Sequence, residues 1–191
     1  MGVAAELKKS GIVAAVKDEA AFRQALSSPA RVIFLLKSDL MTVGDTVRRA
    51  HVSDKKILLH IDLMDGIGKD EAAVRYVVER LKPDGIISTR PNIVKCAKSA
   101  GIFTVLRVFL IDSQGLSSAL VYADKICPDS VEIMPGLLPE MVGKFTADSR
   151  SVIVGGLIST REEAERGLRA GAVAASTSNP QLWDLSGKIS V

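Results

Sequence analysis

The sequence predicts a compact (β/α)8 barrel in a single domain covering residues 1–191. Three observations predict it. Eight short β-branched runs alternate with amphipathic segments, and most runs are apolar on both faces, as buried parallel strands are. The alternation runs from end to end with no break in composition, no low-complexity tract and no repeat beyond the β/α period. Near the end, two successive runs stop in small residues, Gly155-Gly156 and Ser176-Thr177-Ser178, as expected after the last two strands of such a barrel. A chain of 191 residues holds one well-buried core and leaves the loops short. An open flavodoxin-like sheet is the structural alternative, but it normally uses fewer strands.

The strands are predicted at 12–16, 32–36, 57–62, 85–88, 103–109, 130–134, 152–155 and 172–176. A helix over 18–26 opens on Asp18, a capping residue type. The segment 69–82 directs Ala72, Ala73, Val77 and Leu81 toward the sheet and its charges outward. The segment 160–170 begins with a capping box that pairs Ser159 with Glu162, and Gly171 stops it. Pro91 suits the first turn of a helix over 91–100. Shorter helical signals lie at 42–51, 113–124, 138–146 and 180–186.

Composition narrows the function. Hydrophobic residues make up 47% and charged residues 25%, the balance of a soluble globular chain. No apolar run spans a bilayer, and the first residues lack the pattern of a signal peptide, so a cytoplasmic protein without membrane contact is expected. Cys96 and Cys127 lack metal-ligand spacing and read as reduced thiols. A net charge of +3 fits an anionic ligand and permits RNA contact. At 4% aromatic residues the chain has few rings for stacking bases, so RNA contact would rest on phosphates and shape.

In such a barrel the residues at the C-terminal ends of the strands face the site. Those ends carry polar groups while the strand bodies are apolar. Gly155 and Gly156 would let the main chain approach a phosphate, and Ser176, Thr177 and Ser178 would add N–H and hydroxyl donors. Ser178 serves equally well as a cap for the last short helix. Asp62 and Glu132 would accept hydrogen bonds from a polyol, with Lys17, Arg107 and Gly136 beside them. The competing reading of the carboxylates is structural ion pairing with Lys17 or Arg107. His60 should share a strand face with Asp62, although a lone histidine in an apolar strand is commonly a core group. Asp62, Asp65 and Glu132 are candidate Mg²⁺ ligands on spacing alone. Basic residues gather at Arg48, Arg49, Lys55 and Lys56, and again at Arg161, Arg166 and Arg169, as candidate RNA contacts.

These residues carry a resemblance. The phrases His60-Ile61-Asp62-Leu63, Gly85-Ile86-Ile87-Ser88-Thr89-Arg90, Arg107-Val108-Phe109-Leu110-Ile111-Asp112, Glu132-Ile133-Met134-Pro135-Gly136, Gly155-Gly156-Leu157-Ile158 and Thr177-Ser178-Asn179 followed by Leu182-Trp183 occur in order over nearly the whole chain. In them the sequence resembles the glycerol-3-phosphate-responsive antiterminators of glycerol-uptake operons. The resemblance implies a barrel that binds glycerol 3-phosphate, acts on leader mRNA so that transcription passes a terminator hairpin, and turns over no substrate. Four features depart from the family pattern: Lys17, Ala14, Leu106 and the segment Lys37-Ser38-Asp39. They bear on the polyol end of the pocket and leave the phosphate turns intact. The alternatives are an enzyme of the prenyl transferase or isomerase type acting on a polyol phosphate at the same site, and a metabolite sensor with a protein partner. Whether the chain forms a homo-oligomer is left open by the sequence.

Overall fold

The computed structural model describes residues 2–146 and 150–189. Eight parallel strands close into a barrel: β1 (Ile12–Val16), β2 (Val32–Leu35), β3 (Lys56–His60), β4 (Gly85–Ser88), β5 (Phe103–Phe109), β6 (Ser130–Met134), β7 (Ser151–Gly155) and β8 (Ala174–Thr177). Each pairs with its neighbours in sequence, and β8 closes on β1 through Ile12↔Ala175, Val13↔Ser176 and Ala14↔Thr177. All eight predicted strands are present, and the open sheet is excluded by this closure.

Strand periodicity splits the core in two. Val13, Val32, Phe34, Leu58, Ile87, Val105 and Ile153 fill the barrel interior. The alternate residues, among them Ile12, Ala14, Ile33, Leu59, Leu106, Val131 and Val154, face the surrounding helices. Ala14 and Leu106 therefore pack away from the interior, and these two departures from the family pattern do not touch the pocket.

The helices are α1 (Val3–Ser10), α2 (Glu19–Ser27), α3 (Val43–Val52), α4 (Glu71–Tyr76), α5 (Pro91–Ser99), α6 (Ser113–Ile126), α7 (Val142–Thr146), α8 (Arg161–Arg169) and α9 (Pro180–Trp183). The sequence reading missed α1. Its Val3 and Leu7 join the interior cluster and close the N-terminal end of the barrel. In α4 the buried residues are Ala73 and Val74, continuing to Val77 in the π turn Val77–Leu81, whereas Ala72 is exposed. The capping box of α8 lies one residue later than predicted. Thr160 Oγ1 accepts from the Glu163 N–H, and the Glu163 carboxylate accepts from the N–H of Thr160 at 2.9 Å.

A two-residue ladder, Ser38–Asp39 against Met64–Asp65, ties the loops after β2 and β3 together at the C-terminal rim. It holds Lys37 and Asp65 along one side of the mouth.

Candidate functional site

The C-terminal rim surrounds a cavity of about 1140 Å³. Lys17, Asp62, Asp65, Arg107, Glu132, Gly156, Ser176, Thr177 and Ser178, all singled out from the sequence, line it. Gly155 and Gly136 stand behind its wall. Gly136 N–H donates to the carbonyls of Gly155 at 2.5 Å and Gly156 at 3.2 Å, and a Cβ there would meet Gly155 N at 2.8 Å. Its part is therefore to let the loop after β6 seat against the turn after β7, rather than to face a polyol.

The two terminal turns are fastened to each other. Thr177 Oγ1 donates to the Ile158 carbonyl at 2.7 Å and accepts from Asn179 N–H at 3.1 Å. Asn179 Nδ2 donates to the Ser159 carbonyl at 2.9 Å, and Trp183 Nε1 donates to the Thr177 carbonyl at 2.9 Å. The Thr177 hydroxyl is thus a strut with its proton already given, not the phosphate donor expected. Asn179, not Ser178, caps α9 by accepting from Gln181 N–H. Gly156 and Leu157 carry positive φ of 72° and 63°, which turns the chain sharply at the cavity wall. Among the described residues the N–H groups of Gly156, Leu157 and Ser178 find no acceptor within the chain.

On the floor, Arg107 and Glu132 are register partners on β5 and β6, and Arg107 Nε donates to Glu132 Oε2 at 2.7 Å. Both are buried, at 6% and 1% exposure. Among the described residues this is the one hydrogen bond of the Arg107 side chain, so its Nη groups keep their donors for the cavity.

Asp62 lies one turn beyond β3, in the 3-10 segment Ile61–Leu63, and not in the strand as predicted. Its carboxylate accepts from Ser88 Oγ at 2.7 Å, Thr89 N–H at 2.7 Å and Thr89 Oγ1 at 2.8 Å. Burial alone would raise its pKa, but those three donors outweigh burial and hold the carboxyl below the usual range. Lys69, which sequence reading passed over, braces the segment by donating to the carbonyls of Ile61 at 2.6 Å and Met64 at 2.8 Å. His60 is 3% exposed, and its Nδ1 stands 3.9 Å from Asp62 without a hydrogen-bond partner. Burial, reinforced by the Arg107 charge, pushes its pKa down to about 4, so it is a neutral group near pH 7.

Lys17 follows β1, next to the turn after β8, while Lys37 follows β2, on the side of Asp62 and Asp65 after β3. Lys37, a departure from the family pattern, lies just past a strand end and lines the cavity like the others. Leu157, Ile158, Ser159 and Asn179 also line the cavity. Among the described residues no three His, Cys, Asp or Glu side chains come together to hold a metal, so the Mg²⁺ expectation for Asp62, Asp65 and Glu132 finds no cluster. The physical reason is that Glu132 is turned to Arg107, and Asp62 to Ser88 and Thr89.

The predicted RNA patch is largely self-neutralised. Lys55 is 6% exposed, and its ammonium caps the carbonyls of Ser28 and Ala30. Lys56 pairs with Asp84, Arg48 with Asp45, and Arg49 with Glu19. Lys55 in particular is withdrawn from any polyanion by its burial.

Known proteins share this barrel over most of its length. A family model described as "Glycerol-3-phosphate responsive antiterminator" matches residues 12–183. A glycerol uptake operon antiterminator regulatory protein from Listeria monocytogenes str. 4b F2365 is 34% identical, with a TM-score of 0.88 over 91% of this chain and 95% of its own. A glycerol uptake operon antiterminator-related protein from Thermotoga maritima MSB8 is 32% identical, with a TM-score of 0.82 over 91% and 98%. An uncharacterized protein of Escherichia coli (strain K12), YgcP, is 32% identical over 96% of each chain.

Proposed function

The chain belongs to the glycerol-3-phosphate responsive antiterminator family, and from that premise we propose that its rim cavity takes glycerol 3-phosphate. In that state the protein acts on structured leader mRNA of a glycerol-utilisation operon. The free N–H groups of the two terminal turns, with Lys17 beside them, carry this reading. A dianion is favoured where the N–H groups of Gly156, Leu157 and Ser178 meet Lys17. Hydroxyls are favoured at the other side, where Asp62 is fixed in an ionised, acceptor-only state. The Ser176 hydroxyl adds a donor at the phosphate end, and Arg107 lies between the two ends of the ligand.

The same groups favour regulation over turnover. Proton transfer near pH 7 is most efficient with a group whose pKa lies near 7. Asp62 is held low by its three donors, and His60 is neutral with a pKa near 4. Arg107 and Glu132 neutralise each other. The site is therefore built to bind rather than to shuttle protons.

Calorimetric titration with glycerol 3-phosphate, inorganic phosphate and glycerol tests the reading. Glycerol 3-phosphate should bind at least tenfold more tightly than either fragment. Gly156→Asp, which places a carboxylate at the phosphate position, should abolish binding while the circular dichroism spectrum is kept. Equal affinity for phosphate and glycerol 3-phosphate would contradict the polyol assignment, and unchanged affinity in Gly156→Asp would contradict the phosphate assignment.

A further inference from the structure

At the opposite pole of the barrel a second cleft, of about 320 Å³, lies where α1, α8 and the segment 187–189 meet. Lys8 and Lys9 line it, with the turns at Gly11, Gly171 and Gly187 and with Leu168 between them, and no carboxylate is in its described lining. Lys8 and Lys9 are exposed, and Lys188 is exposed beside Gly187. Among the described residues none of the three lysines has an ion pair. Arg169, adjacent to Leu168, adds a fourth cation, shared with Glu165 at 3.5 Å.

The helix dipole accounts for part of this composition, since Lys8 and Lys9 lie in the last turn of α1 and Arg169 in the last turn of α8. It does not account for Lys188, which is outside any helix, or for the lack of a carboxylate in the described lining. Two other basic regions differ. The rim cavity matches three cations with three carboxylates among its described lining, and a bound dianion would make it repel a polyanion. The cations of the 48–56 segment are paired or buried.

We propose that this cleft takes a phosphate of structured RNA, with Lys8, Lys9 and Lys188 as the contacting cations. The inference rests on the RNA reading of the proposed function and adds to it the contacting surface. No aromatic ring is in the described lining of the cleft, so recognition there is by phosphate and shape, as for double-stranded RNA. The surface also lies away from the ligand, yet on the same strands. Gly11 and Val173 precede β1 and β8 at the cleft, and Lys17 and Ser178 follow them at the cavity.

The test is fluorescence polarisation of a labelled leader hairpin from a glycerol-utilisation operon, in saturating glycerol 3-phosphate, from 50 to 300 mM salt as a rough working range. The triple variant Lys8→Glu, Lys9→Glu, Lys188→Glu should lose at least about a hundredfold in affinity and lower the salt slope by about 2–3. Its melting temperature and its calorimetric affinity for glycerol 3-phosphate should not change. The arginine triple variant, which keeps the charges, should bind RNA as wild type does, as should Arg48→Ala. RNA affinity within twofold of wild type in the glutamate variant would overturn the assignment, as would an equal loss in Arg48→Ala. Failure of the wild type to bind the hairpin at the lowest salt would instead remove the RNA reading from which this proposal starts.

Discussion

Gly155 has no side chain because Glu132 occupies the place of one: a Cβ on Gly155 would lie 2.4 Å from Glu132 Oε1. The close approach places the Glu132 carboxylate in the barrel interior beside Arg107. This glycine therefore serves the site from behind, by keeping open the room that the ion pair fills. Gly155→Ala should destabilise the protein by about 1–3 kcal/mol through overpacking, and weaken glycerol 3-phosphate binding because Arg107 moves with its partner. Urea denaturation and calorimetry on the one variant check both. Wild-type stability in Gly155→Ala would show that the room is not needed.

The ion pair itself should be costly to break on one side. Arg107→Met leaves Glu132 buried without its partner, and removing one member of such a pair costs about 3–5 kcal/mol. The double variant Arg107→Met, Glu132→Leu should recover much of that stability and none of the ligand affinity. Denaturant midpoints for the three proteins decide the first statement, and titration decides the second.

The two hydroxyls after β7 and β8 should separate by role. Thr177→Val removes the strut to Ile158 and the acceptor for Asn179 N–H, at a cost of about 1–3 kcal/mol for the buried groups left unpaired. Ser176 has no side-chain hydrogen bond among the described residues and lines the cavity. Ser176→Ala should therefore leave the melting temperature within about a degree and lower ligand affinity by about tenfold or more, the worth of one hydrogen bond to a charged group. The reverse pattern would exchange the roles assigned to these residues.

Burial of neutral His60 predicts a pH window. Its folded pKa, about 4, is below the 6.5 of an unperturbed histidine. As pH falls below 6.5 the unfolded chain takes up the proton first, so stability declines, and the decline ends near pH 4 where the folded state protonates too. The full window is worth about 3 kcal/mol. Asp62 acts at lower pH. Its carboxyl is depressed, so its contribution is intact above the unfolded value of 3.8 and is lost as pH drops through the folded value. Stability against pH should show the upper slope in wild type, and His60→Asn should remove it.

Much of this architecture was legible in the sequence, and the misses share a cause. Strands read well because a parallel barrel buries both faces, so runs such as Val32–Leu35 and Ile12–Val16 stand out by composition alone. Features that depend on a distant partner did not read. The helix Val3–Ser10 has a short apolar stripe, and what it covers is the barrel floor. Lys55 counts as a surface charge until Ser28 and Ala30 are folded over it. Thr177 reads as a free hydroxyl until the Ile158 carbonyl, nineteen positions earlier in the chain, is brought against it. The strand-end rule found most of the cavity lining, and applied evenly it would also have found Lys37. It could not tell that Gly136 and Gly155 shape the wall from behind, since that is a matter of close approach between loops.

If ligand and RNA occupy opposite poles and are coupled, the coupling must be reciprocal. Glycerol 3-phosphate should raise RNA affinity by some factor, and saturating RNA should raise affinity for glycerol 3-phosphate by the same factor, because both ratios belong to one thermodynamic cycle. Polarisation measured with and without the ligand gives one ratio, and calorimetry with and without the hairpin gives the other. Ratios of one in both directions would mean that the cavity does not govern RNA binding.

A crystal structure determined with glycerol 3-phosphate tests the central claim most directly. The phosphate should lie within hydrogen-bond distance of the N–H groups of Gly156 and Ser178, with Lys17 turned toward it and a glycerol hydroxyl on Asp62. A ligand seated with its phosphate against Arg107 and its hydroxyls at the β7 and β8 turns, or one bound outside the rim cavity, would contradict it.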